Sequence, residues 1–139
     1  MSIWKLSAED RLDILELYAL YAHAEDAGDN MGFLACWDED GVLEGPRGHF
    51  EGHNGLSEFF DALMPTNKGK RHVTVNHLIH ATEKGAEVAS NFLLIDVAET
   101  TRLVGSGSYR DSLRHSGGTW RISKRVVSLD ARTAGAKIP

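Results

Sequence analysis

The segment RHVTVNHLIHATEKGAEVASNFLLIDVAETTRLVGSGSYRDSLRHSGGTWRISKRVVSLD, residues 71–130, decides the fold. It divides into four strand-length runs, about 71–83, 86–98, 101–115 and 119–130, rich in β-branched and aromatic residues. Lys84-Gly85, Glu99-Thr100 and Ser116-Gly117-Gly118 separate them and suit hairpin turns. Four consecutive hairpin-linked strands predict an antiparallel meander. The runs exceed the usual strand of about five or six residues, and long strands twist strongly. Gly105 and Gly107, two apart within one run, predict a bulge or sharp bend. GSGS at 105–108 lies inside that strand and precedes no helix, so it lacks the context of a phosphate-binding loop. With two-residue turns, Thr74, Leu78, Leu93, Ile95, Val104, Val127 and Leu129 fall on one face. Val73, Val75, Ile79, Phe92, Leu94, Leu103, Tyr109 and Ile122 fall on the other. Neither face is cleanly polar, so a second copy of the chain is expected over the face that the helices leave open, as a homodimer or homotrimer.

Upstream of this segment the pattern is helical. Ser7 and Asp10 form an S-x-x-D capping box at the head of an apolar-periodic run. At about 100° per residue, Leu12, Leu15, Tyr18, Ala19, Tyr21 and Ala22 share a sector, with Glu9, Asp13, Glu16 and His23 opposite. Gly28 is the predicted stop. Asp29 caps a predicted second short helix through Trp37, with Phe33 and Trp37 on one side. Asp40-Gly41 turns into a short strand, Val42–Glu44; Pro46, Gly48 and Gly52 then break regular structure. Asn54 is the expected cap of a third helix carrying Leu56, Phe59, Phe60 and Leu63 and ending near Pro65. Three helices followed by a meander make an α+β fold, the helices covering one face of a curved sheet to leave an internal cavity.

Composition narrows function. The 139 residues suit a single domain spanning 1–139, with a tail after Asp130 expected to fray. The net charge of −5 argues against a nucleic-acid partner. No apolar run reaches the roughly 18 residues of a membrane span, and the N-terminus does not read as a signal peptide. One cysteine, Cys36, makes no internal disulfide and reads as core filler, so a cytoplasmic location is expected. Seven histidines are the compositional oddity.

Two residues stand out chemically. Asp26 lies near the end of the first helix, between Leu15 and Ala19 on the wheel. Desolvation and the negative end of the helix dipole both disfavour a carboxylate there, so it stays protonated or finds a cation, unless the helix frays and leaves it solvated. His72 opens the first long strand. Alternation places His72 and His80 on one face and His77 on the other, a spacing that does not converge on a metal ion. His72 alone reads equally as a structural side chain. Paired with a buried Asp, it would be an oriented imidazole able to take a proton from carbon or oxygen.

DILELYALYAHAEDAGDNMGFLACWDEDGVLEG, GKRHVTVNHLI and GTWRISKRVVSLD, in that order, resemble the SnoaL-like branch of the NTF2-like superfamily over about residues 8–130. The resemblance implies a cone-shaped α+β roll around an apolar pocket. It also implies a lyase or isomerase that needs no cofactor and acts on a small apolar cyclic or polycyclic molecule. In the similar scytalone dehydratases and bile-acid 7α-dehydratases, an Asp from the end of the first helix meets a His from this strand. Asp26 and His72 match those positions, His72 as base and Asp26 as its orienting partner. Tyr21 matches a substrate-binding tyrosine, and Tyr18, Trp37 and Asn76 are further candidates for the pocket wall. EVASNFLLIDV with SGSYRDSLRHSGGTWRISKRVVSLD also resembles the β subunit of ring-hydroxylating dioxygenases, which implies a non-catalytic partner of an oxygenase large subunit. A small-ligand carrier is the third reading.

Overall fold

The computed structural model describes residues 4–131, so most of the tail expected to fray lies outside it. The chain runs α1 (Ala8–Ala27), α2 (Asn30–Ala35), β1 (Trp37–Gly45), β2 (Gly48–Glu51), α3 (Gly52–Asn67), β3 (Lys70–Thr82), β4 (Gly85–Asp96), β5 (Arg102–Ser116) and β6 (Thr119–Leu129). The α+β expectation holds, with helices against one face of the sheet. The sheet is larger than a four-strand meander and is mixed. Its order is β2-β1-β6-β5-β4-β3, and β1 lies parallel to β6.

Local chemistry accounts for the helix ends. The Ser7 hydroxyl accepts from the Asp10 N–H at 2.9 Å, and the Asp10 carboxylate accepts from the Ser7 N–H at 3.0 Å. Gly28 closes α1 in the left-handed region, φ 69°, where a side chain would be strained. Asp29 caps α2, but that helix stops at Ala35 and Trp37 opens β1. The region expected to be irregular around Gly48 is a hairpin, β1–β2. α3 begins at Gly52, so Asn54 sits inside its first turn instead of capping it, and the helix runs through Pro65 to Asn67.

The buried face of α1 is rotated from the predicted one. Ile14, Leu17, Tyr18, Tyr21, Ala22, Ala24 and Glu25 go inward, while Leu12, Leu15 and Leu20 are exposed. This segment is apolar over too wide an arc for its wheel to choose a face; the sheet and the helices beside it choose.

Strand alternation within β3 to β6 fails at three irregularities, and each reverses the residues beyond it. Between Val75 and Leu78 an extra residue bulges out, with Asn76 at φ 59°. His77 therefore joins His72 on the inner side, its ring edge against Tyr18 at 4.5 Å, and His80 faces out opposite Glu87. Further shifts fall between Leu94 and Ile95 and opposite Ser112/Leu113. The inner face consequently mixes both predicted sets: Phe92, Leu94, Tyr109 and Ile122 are buried in the core, and Val127 and Leu129 pack against it. Gly107 lies opposite Phe92, whose ring would stand 2.5 Å from an added Cβ, so the aromatic fills the space that glycine leaves. On the outer face Leu78 and Leu103 are each 62% exposed. No described helix is long and apolar enough to cross a membrane.

Candidate active site

The end of α1 meets the start of β3. Asp26 takes two hydrogen bonds from the His72 main-chain N–H, at 3.0 and 3.1 Å to its two oxygens, and its Oδ1 lies 2.8 Å from the ring Nδ1. A strand and a helix end are tied together by one carboxylate. With Nδ1–H donating to Asp26, the Nε2 lone pair of a neutral imidazole is free.

Nε2 faces a second carboxylate. Glu25 Oε1 stands 3.7 Å away, at ion-pair distance but beyond hydrogen-bond distance, and is buried without a hydrogen-bond partner. The Glu25 side chain was not singled out by the sequence. Its signal was the spacing Tyr18–Tyr21–Glu25, one helical face, masked by the choice of the wrong wheel sector. Burial pushes Glu25 above its ordinary range, against the fields of His72 and Arg125. For His72, burial works downward but is outweighed by Glu25 and by the bond to Asp26, which hold the imidazole above 6.5.

Both groups therefore bind a proton more tightly folded than unfolded. Their stabilisation is complete below the unfolded values, 4.5 for Glu25 and 6.5 for His72, and is lost as pH rises through the folded ones. The melting temperature should fall as pH rises from 4.5 past 6.5 through these groups. Glu25→Gln should flatten that fall, gaining about 3 °C on the parent at the alkaline end and little at the acidic end, as followed by circular dichroism.

Glu25, His72 and Tyr21 share one cavity wall. Leu43, Phe59, Leu63, Phe92, Leu94 and Val127 supply apolar lining, and Pro46 and Arg47 of the β1–β2 hairpin also border the cavity. The space open to a water-sized sphere is about 70 Å³, small beside the roughly 300–1,000 Å³ of a drug-sized ligand pocket. The Tyr21 ring is fixed by Phe33 at 5.1 Å and Trp37 at 6.1 Å.

A second polar cluster lies beside this wall. Arg125, 0% exposed, donates Nε–H to Asp111 Oδ1 at 2.8 Å and Nη2–H to Oδ2 at 2.9 Å. Tyr18 donates its hydroxyl to the same carboxylate. The guanidinium lies over Tyr109 at 3.7 Å and Tyr21 at 4.2 Å. Neither Arg125 nor Asp111 was a candidate from the sequence.

Three of the proposed pocket residues are elsewhere. Tyr18 is committed to Asp111. Trp37 is core, 1% exposed behind Tyr21, because it starts a strand instead of ending a helix. Asn76 sits on the bulge and its side chain reaches Asn91 on the exposed side, at 3.3 Å. Cys36 is buried, and burial pushes its thiol up to about 11. Among the described residues no group of His, Cys, Asp and Glu is arranged to hold a metal ion.

Comparison with known proteins identifies the family and the fold. Residues 6–126 match the family described as the SnoaL-like domain. A Nostoc punctiforme PCC 73102 protein of unknown function with a cystatin-like fold is 31% identical, with TM-score 0.86 over 91% of this chain and 95% of that one. Rv3472, a protein of unknown function from Mycobacterium tuberculosis, is 27% identical, with TM-score 0.81 over 94% of this chain and 78% of its own. A candidate scytalone dehydratase from Novosphingobium aromaticivorans DSM 12444, 20% identical, shares the fold with TM-score 0.77 over 95% of this chain and 94% of that one. No curated protein sequence matches significantly. The three helices, the curved mixed sheet and the match over most of its length place the chain in the SnoaL-like domain family of the NTF2-like, cystatin-like fold, a family that includes polyketide cyclases and dehydratases.

Proposed function

We propose that the chain is a small-molecule lyase or isomerase acting on an apolar cyclic or polycyclic substrate, through dehydratase-like elimination or a double-bond shift. One observation carries this reading: the His72 imidazole is held through Nδ1 by Asp26, while Nε2 has no hydrogen-bond partner beside an apolar cavity. Nε2 removes a proton from carbon. Asp26 keeps the proton on Nδ1 and balances the charge that the imidazole gains. The Tyr21 hydroxyl, kept protonated by burial, hydrogen-bonds a substrate oxygen.

A purely structural ion pair would explain the Asp26 contacts but not a second buried carboxylate beside Nε2 that no hydrogen bond satisfies. An oxygenase accessory subunit or a ligand carrier would have no use for a base so oriented. The test is a panel of hydroxylated and keto bicyclic and polycyclic compounds, followed by mass spectrometry for loss of water or by a new conjugated absorbance. Turnover by the parent and not by His72→Ala supports the reading. Turnover unaffected by His72→Ala and Asp26→Asn overturns it.

We also propose that a second copy covers the outer sheet face, where Leu78 and Leu103 are exposed beside Val73, Val75 and Leu93. Light scattering at micromolar concentration should give a multiple of 15.3 kDa; a monomeric mass rejects this.

A further inference from the structure

We propose that Glu25 is a second catalytic residue: a carboxylic acid that protonates the leaving oxygen from the same cavity wall on which His72 takes the carbon-bound proton. This rests on the reading of His72 as a base and deepens it.

The argument starts from what Glu25 lacks. Its side chain is 4% exposed, yet Oε1 has no hydrogen-bond partner. Arg125 gives its Nε–H and Nη2–H to Asp111, and its buried Nη1 acts on Glu25 through its charge without a hydrogen bond to it. Glu25 also sits in the last turn of α1, where the helix dipole disfavours a negative charge. Asn67 bonds the Glu25 carbonyl, not its carboxyl. A buried, unsatisfied carboxyl is costly, and nothing in the packing needs it. It borders the cavity together with His72.

The groups whose fields reach Glu25 are His72 on β3, Asp26 and Tyr21 on α1, Arg125 on β6, Tyr109 on β5 and Cys36 beside α2. Across the 3.7 Å between Nε2 and Oε1, one proton has two placements: imidazolium with carboxylate, or neutral imidazole with carboxylic acid. A dry site favours the neutral placement, since it buries no charge on either. That placement is a free base and a free acid side by side, the condition for moving two protons in one elimination.

The step balances. The C–H bond breaks and its proton goes to Nε2. Its electron pair becomes the new π bond. The C–O bond breaks with its pair on oxygen, which takes the Glu25 proton and leaves as water. His72 Nε2–H then returns its proton to Glu25 Oε1, restoring both. Since acid and base share one wall, hydrogen and leaving group depart from the same face of the substrate.

The test uses 3-aryloxycyclohexanones, apolar cyclic probes that need no knowledge of the natural substrate and carry the acidic hydrogen and the leaving oxygen on adjacent carbons, where both can depart from one face. A base removes the C–H beside the ketone, the C–O bond to the aryloxy group breaks, and cyclohexenone and a phenol form, followed by absorbance. Ring substituents tune how much the departing oxygen needs a proton: little in the 4-nitrophenoxy compound, much in the unsubstituted one. The rates kcat/KM are measured for the parent, Glu25→Gln and His72→Ala across pH. The amide introduced by Glu25→Gln keeps the shape of the carboxyl but cannot give up a proton.

The parent should exceed His72→Ala by about tenfold or more on every probe. Glu25→Gln should lose about twofold on the 4-nitrophenoxy compound and about tenfold or more on the unsubstituted one. The parent's profile on the unsubstituted probe should be bell-shaped, and Glu25→Gln should lose the alkaline limb. A loss that is equal across the series, or an alkaline limb that persists in Glu25→Gln, overturns the acid role and leaves the base intact. A His72→Ala variant as fast as the parent overturns the base reading and this inference with it.

Discussion

Arg125→Met should lower stability by about 3–5 kcal/mol, the expected cost of breaking one side of a fully buried ion pair. Asp111 would remain 1% exposed, with only the Tyr18 hydroxyl to offset its charge. The loss is not the net worth of the pair, because the intact pair has already spent most of its attraction on desolvation. Replacing both partners should show this: Arg125→Met with Asp111→Leu should recover most of the stability, since no charge is left stranded. Urea midpoints at constant slope measure both effects. The guanidinium also packs over Tyr21 and Tyr109, so its removal should loosen the wall that carries Tyr21. A double variant no more stable than Arg125→Met would mean that the loss comes from this packing and not from the charge.

Removing the base should have the largest effect on turnover. On any substrate found by the panel, His72→Ala should cost about 10²–10⁴ in kcat, the range for a positioned general base. Asp26→Asn should cost somewhat less, about 10²-fold, for a definite reason. The amide can still accept from the His72 N–H through its one oxygen, so the strand start should stay in place. It cannot balance an imidazolium, and its NH2 group, if turned to Nδ1, would place the ring proton on Nε2 and remove the base. The loss should therefore appear in kcat more than in KM, with thermal stability changed little. An Asp26→Asn variant that unfolds early but keeps its kcat would assign Asp26 to structure instead.

Much of the architecture was legible because its signals are local. The Ser7–Asp10 capping box, the Gly28 stop, the Asp29 cap and the Gly117-Gly118 turn depend on residues within a few positions of one another. Strand-length runs between turn residues gave the α+β class and four of the strands. The placement of Trp37 shows the limit. Its apolar character fits a helix end or a strand start, and pairing with β6, about 80 residues away, decided for the strand.

The candidate site divides in the same way. Asp26 and His72 became a pair through the order of the motifs around them, since 46 residues separate them and no spacing rule links a helix end to that strand. Which residues would line the wall was a question of parity, and parity is lost at each bulge. Asn76 takes up one extra position, which brings His77 in and sends His80 out; nothing in VTVNHLI marks the bulge before the neighbouring strand is in register. Glu25 and Arg125 were missed because charged residues are expected outside. By itself, then, the sequence determined the three helices with the N-terminal caps of the first two, the turns, the four long strand runs and the family. Only the tertiary structure decided which face of α1 is buried, which strand residues point inward, and that a second carboxylate stands opposite the free nitrogen of His72. Caps and turns act over a few residues, whereas burial and register depend on partners that are distant along the chain.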